Sequence, residues 1–427
     1  MGGTTRRGVM IGSATLPLAV AARAHGLTGI EADLGRYVAL GGKQSGGPGD
    51  TACGHWLATE LEAAGFAVEK PSLSVPWFEA TRCDIVTGGA RATLWPQPIV
   101  VPTPAAGLSG ALVRVDAGGR ADASLAGAIA LIDLPYGRWS SALAKPVSEP
   151  IHAAFAGGAQ AVVVITNGPT GQAIALNADG RAPMFAGPVG LLAPMDAPPF
   201  LASAMRHDTA TVTLTGNGGR RPAFNLIGRL RRGDAPWVVI STPRSGWFTC
   251  AGERGGGIAA WLALARWAPA ALPRHSLALL CNSGHEYENL GAQEALKAAA
   301  PKPADTAFWL HLGANLAARD WHEGLLGMEP LTGTDSQRYL VASAPLLPAA
   351  RRIFAGLAGL ESPYPSTKFS AGELTAIIAA GYPRVAGVFG VHRFHHVAQD
   401  DARCLSAEAV AATTEAFRRL VTEAVQG

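Results

Sequence analysis

A histidine and a glutamate stand side by side in the stretch NSGHEYENLG, residues 282–291. His285 and Glu286 follow the apolar run LALLC and precede the helix-forming run AQEALKAAA, which predicts a loop between a buried strand and a helix. Both side chains can ligate a metal ion, and both can accept a proton. The pair therefore predicts a functional site that uses acid–base or metal chemistry.

Three further segments carry groups of the same chemistry. Glu253 lies in AGERGGG, His311 follows the apolar run FWL, and FHHVAQDD contains His395 and His396. Each segment lies near the end of a predicted strand. Because the loops beyond the carboxyl ends of parallel strands meet in one crevice, we expect these side chains to approach the His–Glu pair.

Predicted strands and helices alternate from about residue 222 to the C-terminus. The strands are NLIGRL, PWVVIST, HSLALLCNSG, TAFWLHLGAN and PRVAGVFG. The helices include GGGIAAWLALARWA, AQEALKAAA and the closing SAEAVAATTEAFRRLVTEAV. This alternation predicts an α/β fold whose mainly parallel sheet carries helices on both faces.

The chain before residue 222 has two other parts. Residues 25–80 read as two helices separated by a glycine-rich turn and followed by a strand. Residues 81–218 form a smaller β-rich block, in which AGAIALIDL and AQAVVVITN flank a helix around residues 152–156. Two apolar strands on either side of one helix predict a βαβ unit.

The first 24 residues have the pattern of an export signal. Arg6 and Arg7 precede an apolar stretch, residues 9–22, and the ARA motif at residues 22–24 is typical of a cleavage site. The adjacent arginines indicate twin-arginine export, which predicts a periplasmic or secreted protein. The apolar stretch is too short to span a bilayer, and we expect no membrane span in the mature protein.

Composition narrows the class of partner. Among the 427 residues, 48% are hydrophobic and 16% are charged, and the net charge is +3. These values indicate a globular protein without the strongly basic surface of a nucleic-acid or membrane-surface binder. The five cysteines show no CxxC spacing, which argues against a zinc ion held by cysteine. The oligomeric state stays open.

Residues 219–427 resemble the zinc aminopeptidases of family M28, which include bacterial leucyl aminopeptidases, glutamate carboxypeptidases and glutaminyl cyclases. The AGAIALIDL and GAQAVVVITN pieces resemble the protease-associated domain that is often inserted in that family. The resemblance implies four segments: a signal peptide (1–24), an N-terminal helical part of the peptidase-like domain (25–80), a protease-associated domain (81–218) and an M28-like catalytic domain (219–427).

The same resemblance implies a reduced metal site. Members of the family carry an H-x-D motif after one strand, a bridging Asp before a glycine-led helix, a G-E-E-x-G-x-x-G loop and a late His. Glu253, Glu286 and His396 match the ligand positions of one zinc ion. Pro243 and Ser245 stand where the H-x-D residues belong, which implies that the second zinc site is lost.

Three more histidines, His285, His311 and His395, belong to the expected site. His285 stands at the position of the family's general base, and His311 stands near the position of a later aspartate ligand. His396 keeps the family's spacing to Asp400, whereas His395 keeps the preceding aromatic residue. His311 and His395 are therefore possible additional ligands or substrate contacts.

Three functional hypotheses follow. The first is an exported single-zinc hydrolase that cleaves small peptides or amides. The second is a lapsed peptidase fold that binds peptides or small amides without turnover, since a histidine replaces the glutamate base. The third is metal-free acid–base chemistry by the clustered histidines, for which the sequence offers no nucleophile.

Overall fold

The computed structural model describes residues 16–426, with side chains from residue 27 onward. Residues 1–15 of the predicted signal peptide lie outside this part of the chain, and twin-arginine export stays a prediction. No helix of the described residues is long and apolar enough to cross a membrane. All five cysteines belong to the described part, and none of them forms a disulfide.

The nine helices of the described residues are α1 (Leu16–Ala39), α2 (Pro48–Ala63), α3 (Lys145–Ala156), α4 (Pro198–Ala204), α5 (Gly256–Ala271), α6 (Leu290–Ala298), α7 (Leu347–Ile353), α8 (Glu373–Ala379) and α9 (Ala407–Gln426). The strands are β1 (Ala67–Glu69), β2 (Ser72–Thr87), β3 (Ala90–Pro96), β4 (Leu108–Val115), β5 (Ile129–Asp133), β6 (Ala161–Ile165), β7 (Val189–Leu192), β8 (Thr209–Phe224), β9 (Leu226–Leu230), β10 (Trp237–Pro243), β11 (Ser276–Asn282), β12 (Thr306–Leu312), β13 (Arg319–Gly324), β14 (Gly327–Thr334), β15 (Arg338–Ala342), β16 (Tyr364–Pro365) and β17 (Val385–Gly390).

An eight-stranded sheet forms the centre of the molecule, in the order β1-β9-β11-β10-β12-β17-β15-β16. Its four middle strands, β11, β10, β12 and β17, run parallel, and antiparallel pairs flank them. Every residue of β11 is buried, as a parallel strand covered on both faces requires. The predicted α/β fold with a parallel central sheet is confirmed.

Helices cover both faces of this sheet. Along β10, Val238 and Ile240 pack into one apolar layer with α1, α2, α5 and α9. Val239, which points to the opposite face, packs with α6 and α8. The alternation follows from the period of two in a strand, and it places the loops after the parallel strands at one open edge.

The middle of the chain forms a closed barrel of seven strands, in the order β2-β3-β7-β6-β5-β4-β8. One apolar cluster draws on all seven strands, and Ile85, Leu112 and Val163 belong to it. The parallel pair β5 and β6 with helix α3 between them forms the predicted βαβ unit. Strands β2 and β8 pair along most of their length, so the barrel spans residues 72–224 rather than 81–218. Its identity as a protease-associated domain stays a prediction.

Among the strands after residue 222, the sequence analysis did not predict β13, β14, β15 and β16. The hairpin of β13 and β14 has mostly exposed side chains, so its sequence lacks the apolar alternation of a covered strand. Strand β15 has only five residues and β16 only two. Because β15 runs antiparallel to β17, the sheet is less parallel at this edge than the alternation of elements predicted.

Candidate functional site

The predicted site residues lie at the carboxyl ends of adjacent strands. His285 and Glu286 follow β11, Ser245 follows β10, His311 lies near the end of β12, and the late histidines follow β17. The loop that carries the His–Glu pair closes tightly, since a Cβ atom at Gly291 would lie 1.9 Å from the carbonyl oxygen of Ser283. The order of the strands in the sheet therefore brings these loops together, as the sequence predicted.

Glu253 lies in a short π-helical turn, Ala251–Gly255, at the start of α5. Asp400 holds this turn: Oδ1 accepts the Gly252 N–H at 2.6 Å, and Oδ2 accepts the Glu253 N–H at 3.1 Å. His392 Nε2 lies 3.2 Å from the same Oδ2. The carboxyl group of Glu253 is therefore presented from a fixed backbone, and its side chain is fully buried.

His395 and His396 stack on each other beside Glu253, with ring centroids 3.9 Å apart. The Nδ1 atom of His396 lies 2.8 Å from the Ala175 carbonyl oxygen, to which it donates, and Nε2 lies 3.3 Å from Glu253 Oε1. A carbonyl acceptor on one ring nitrogen is the usual arrangement of a histidine that ligates through the other. His396 also has φ of 60°, a backbone conformation that non-glycine residues adopt infrequently.

Glu253, His395 and His396 form one group of potential ligand atoms, all within 4.8 Å of one another. In these residues the atoms Glu253 Oε2 and His395 Nδ1 are buried and have no hydrogen-bond partner among the described residues. Burial and the neighbouring His396 hold the pKa of His395 well below its ordinary value, so this imidazole is neutral and has one lone pair to offer, while its Nε2 lies 3.2 Å from the Ser140 hydroxyl. Buried polar atoms without partners, in a group of a carboxylate and two imidazoles, indicate a place for an ion or a water molecule.

Arg254 brings a positive charge to the same place. Its side chain is 1% exposed, and Nη2 lies 2.6 Å from Glu253 Oε1. Burial alone would raise the pKa of Glu253, but the Arg254 guanidinium and the nearby histidines hold it well below its ordinary value. Glu253 is therefore ionised, with one oxygen facing Arg254 and the other free. We call Glu253, Arg254, His395 and His396 the open corner.

Glu286 has a different environment. Its Oε1 accepts the Ser45 N–H at 2.8 Å, and its Oε2 accepts the hydroxyls of Ser45 at 2.6 Å and Ser245 at 2.7 Å. The structure thus brings together Glu253 and His396 of the expected ligand set and adds His395 to them. Glu286 is not part of that three-residue group.

Arg244, the middle residue of the segment that replaces the H-x-D motif, is a buried structural ion. Its Nε lies 2.9 Å from Asp50 Oδ1, and both side chains are at most 1% exposed. Its Nη1 and Nη2 donate to the carbonyl oxygens of Cys281 and Phe224. We call Ser45, Asp50, Arg244, Ser245 and Glu286 the filled corner.

A third group surrounds His285. Its Nδ1 lies 3.4 Å from Oε1 of Glu373, the first residue of α8, and Asn282 Nδ2 donates to Oε2 at 3.1 Å. His311 lies near the other oxygen of Glu373: its Nδ1 is 4.0 Å from Glu373 Oε2 and 2.9 Å from Ser241 Oγ. Burial lowers the pKa of His311 to about 4, so this imidazole is neutral at neutral pH.

Comparison with known proteins identifies the fold. No family model matches the chain, and no curated protein matches it. A zinc aminopeptidase from Bacillus subtilis superposes with a TM-score of 0.71 at 16% identity, over 94% of this chain and 95% of that one. A peptidase M28 precursor from Shewanella amazonensis gives 0.69 at 16% identity, over 94% and 97%. The aminopeptidase of Aneurinibacillus sp. strain AM-1 gives 0.66 at 16% identity, over 93% of both chains.

The fold is that of the zinc aminopeptidases. At this identity the likeness establishes the fold alone, so the chemistry has to be argued from the residues of this chain. The donor set of the open corner fits a divalent cation, because a carboxylate oxygen and an imidazole nitrogen lie buried there without partners. Pro243 offers no ligand atom, and the hydroxyl of Ser245 is engaged with Glu286.

The sequence analysis missed the residues that partner the predicted ones. Glu373 lies 88 positions from His285, and Ser45 lies 241 positions from Glu286, so no local spacing links them. The position of Arg254 could have been predicted to be buried. The residue lies between Glu253 and three glycines at the start of an apolar helix, where a charged side chain has little room to reach solvent.

Proposed function

We propose that this chain is a peptidase-type hydrolase that cleaves small peptides or amides, with one zinc ion held by Glu253, His395 and His396. The observation that carries the proposal is the buried group of Glu253, His395 and His396, whose ligand atoms lie within 4.8 Å of one another and in which Glu253 Oε2 and His395 Nδ1 have no hydrogen-bond partner in the part of the chain that the structure describes. Three protein ligands with a fourth position left over are the usual complement of a catalytic zinc ion.

The contact of the second carboxylate oxygen of Glu253, Oε1, supports one zinc ion rather than two. In a two-ion centre the second carboxylate oxygen would face the second ion, but here Oε1 faces Arg254 Nη2 at 2.6 Å. A guanidinium next to the carboxylate repels a further divalent cation. Together with the replacements at Pro243 and Ser245, this contact supports a single zinc ion.

A zinc ion held there supplies Lewis-acid polarisation of the scissile carbonyl. His285 then serves as general base: its Nε2 takes a proton from water as the water oxygen bonds to the carbonyl carbon. The same proton passes to the amine nitrogen as the C–N bond breaks. His285 suits this role because its side chain is 14% exposed, whereas Glu253, His396 and Glu373 are at most 2% exposed.

Glu286 has a structural role in this proposal. Both of its oxygens accept hydrogen bonds from the segment around Ser45 and from Ser245, so it fixes the His285 loop to two other parts of the chain. Charge-assisted hydrogen bonds of this kind are stronger than neutral ones and hold a loop firmly. In this proposal His395, and not Glu286 as the resemblance implied, is the third zinc ligand.

Hydrolysis of a panel of aminoacyl and peptidyl p-nitroanilides, with and without added zinc, tests this function. We expect turnover that strong chelation abolishes and zinc restores. The Glu253→Gln variant should be inactive under all conditions, whereas Glu62→Gln, at an exposed position, should equal the wild type. Turnover that survives chelation, or none with zinc at full occupancy, would contradict the proposal.

Arg254 favours a second candidate, the lapsed peptidase fold. Its guanidinium already balances the charge of Glu253 without any metal ion. A binding protein of this kind would take up short peptides without hydrolysing them. Calorimetric titration with a tripeptide distinguishes the two, because binding that is unchanged by chelation, combined with no turnover, supports the lapsed fold.

We also propose that residues 1–24 direct export through the twin-arginine route. The paired Arg6 and Arg7 before an apolar stretch support this proposal. Replacing both arginines by lysine should retain the protein in the cytoplasm at its full length. Unchanged export of that variant would argue for a different route.

A further inference from the structure

A histidine can replace a glutamate base only when its ring is held in one tautomer. A neutral imidazole has one N–H and one lone pair, and the lone pair has to face the substrate water. An acceptor on the opposite nitrogen fixes this arrangement by accepting the N–H. His285 therefore requires an acceptor at one ring nitrogen, and the structure contains one.

Glu373 is that acceptor. It is 2% exposed, and its Oε1 lies 3.4 Å from His285 Nδ1. Its other oxygen accepts from Asn282 Nδ2 at 3.1 Å, which sets the plane of the carboxylate. The backbone N–H of His285 donates to Ser245 Oγ at 3.1 Å, so both ends of the His285 residue are held.

The charge state of Glu373 fixes the tautomer of His285. Burial alone would raise the pKa of Glu373, but the hydrogen bond from His285 and the neighbouring His311 bring it below its ordinary value. An ionised carboxylate only accepts hydrogen bonds, so Nδ1 of His285 carries the hydrogen. Nε2 is then left with the lone pair, on a side chain that is 14% exposed.

His311 does not compete for the same carboxylate. Its Nδ1 lies 2.9 Å from Ser241 Oγ, which in turn accepts the Trp309 Nε1–H at 2.8 Å. Ser241 therefore has its own hydroxyl hydrogen to donate to His311 Nδ1. The distance of 4.0 Å between His311 Nδ1 and Glu373 Oε2 exceeds a hydrogen bond. Of these two histidines, only His285 lies within hydrogen-bond distance of Glu373.

We propose that Glu373 is the positioning residue that makes His285 a general base, so that a carboxylate–imidazole pair replaces the single glutamate of the family. This inference rests on the proposed hydrolase function. When Nε2 takes the proton of the attacking water, Glu373 stays ionised and balances the imidazolium charge. When the C–N bond breaks, the proton leaves Nε2 for the amine nitrogen and the pair returns to its starting state.

The Glu373→Gln variant tests this role with almost no change of shape. Its amide can donate to Nδ1 and thereby favours the tautomer with hydrogen on Nε2, which removes the lone pair from the substrate side. We expect kcat to fall roughly 10²- to 10⁴-fold, as for a histidine base in the wrong tautomer, with KM and zinc content nearly unchanged. Glu373→Asp should keep part of the wild-type kcat, and the control Glu361→Gln, at an exposed position, should keep all of it.

Nitrogen NMR of the His285 ring supplies a readout that does not depend on turnover, with the signal assigned from a His285→Gln sample. The wild type should show the hydrogen on Nδ1, and Glu373→Gln should move it to Nε2. An active wild type together with an unimpaired Glu373→Gln variant, or an unchanged tautomer in that variant, would overturn the role of Glu373 alone. A wild type that binds zinc and hydrolyses nothing would overturn the proposed function, and the positioning role with it.

Discussion

The glutamates of the two corners differ in how many hydrogen bonds their carboxylates accept. In the filled corner, Glu286 accepts three hydrogen bonds from Ser45 and Ser245. In the open corner, Glu253 has one oxygen next to Arg254 and His396, and the other has no partner among the described residues. Both carboxylates are fully buried, so burial does not distinguish them.

This difference assigns a structural role to Glu286 and a candidate metal-binding role to Glu253. The three hydrogen bonds to Glu286 occupy most of the lone-pair sites of its carboxylate and indicate a structural role. A buried carboxylate with a free oxygen carries a desolvation cost that a bound cation would offset. The family resemblance alone gives Glu253 and Glu286 equal standing as ligands, and only the hydrogen-bond partners tell them apart.

Breaking the filled corner should have the largest effect on stability. The Arg244→Met variant leaves Asp50 buried without its cation, and losing one partner of a buried ion pair costs about 3–5 kcal/mol of unfolding free energy. Urea denaturation measures this loss. As control, Arg229→Met breaks the more exposed pair with Glu69 and should cost no more than about 1 kcal/mol. Equal losses in both variants would contradict the structural role of the filled corner.

A pH series should reveal His311, the buried histidine near His285 and Glu373. The folded-state pKa of His311 is about 4 because of burial, whereas an unfolded histidine titrates near about 6.5. The unfolded chain therefore binds the extra proton first, and stability falls as the pH drops from about 6.5 to about 4, by roughly 3 kcal/mol for this residue.

The His311→Asn variant, which can keep the contact with Ser241, should show a correspondingly flatter dependence of unfolding free energy on pH. The exposed His55→Asn variant should follow the wild type. If the His311 variant and the wild type have parallel pH profiles, His311 is not held neutral as described.

A smaller effect is expected from Ser245→Ala, which removes one of the three hydrogen bonds to Glu286. A hydrogen bond to a charged group contributes roughly 1.5–3 kcal/mol, and denaturation should show a loss of that size. Zinc content should stay unchanged, because the open corner is untouched. Loss of zinc in this variant would place Glu286 among the ligands and erase the distinction between the two corners.

Periodicity was sufficient for the central sheet and insufficient for its edge. Strands β10 and β11 with α5 between them were predicted because long apolar runs alternate with a glycine-led helix. The hairpin of β13 and β14 was not predicted, since its side chains are mostly exposed and its sequence lacks alternation. The barrel extends beyond its predicted bounds because Ser72 and Phe224 pair across the whole middle segment.

The candidate site was predictable in its residue types and not in its pairings. Glu253, His285 and the late histidines became candidates because each follows an apolar strand in the sequence. Spacing to Asp400 favoured His396 and the preceding aromatic residue favoured His395, and in three dimensions both belong to the group around Glu253. Glu373 and Ser45 come from distant segments, so only folding brings them to the site.

The zinc content of purified protein, measured by elemental analysis in three variants side by side, tests the central distinction most directly. We expect about one zinc ion per chain in the wild type and in Glu286→Gln, and far less than one in Glu253→Gln. Loss of zinc from Glu286→Gln together with its retention in Glu253→Gln would contradict the assignment of the open corner as the metal site.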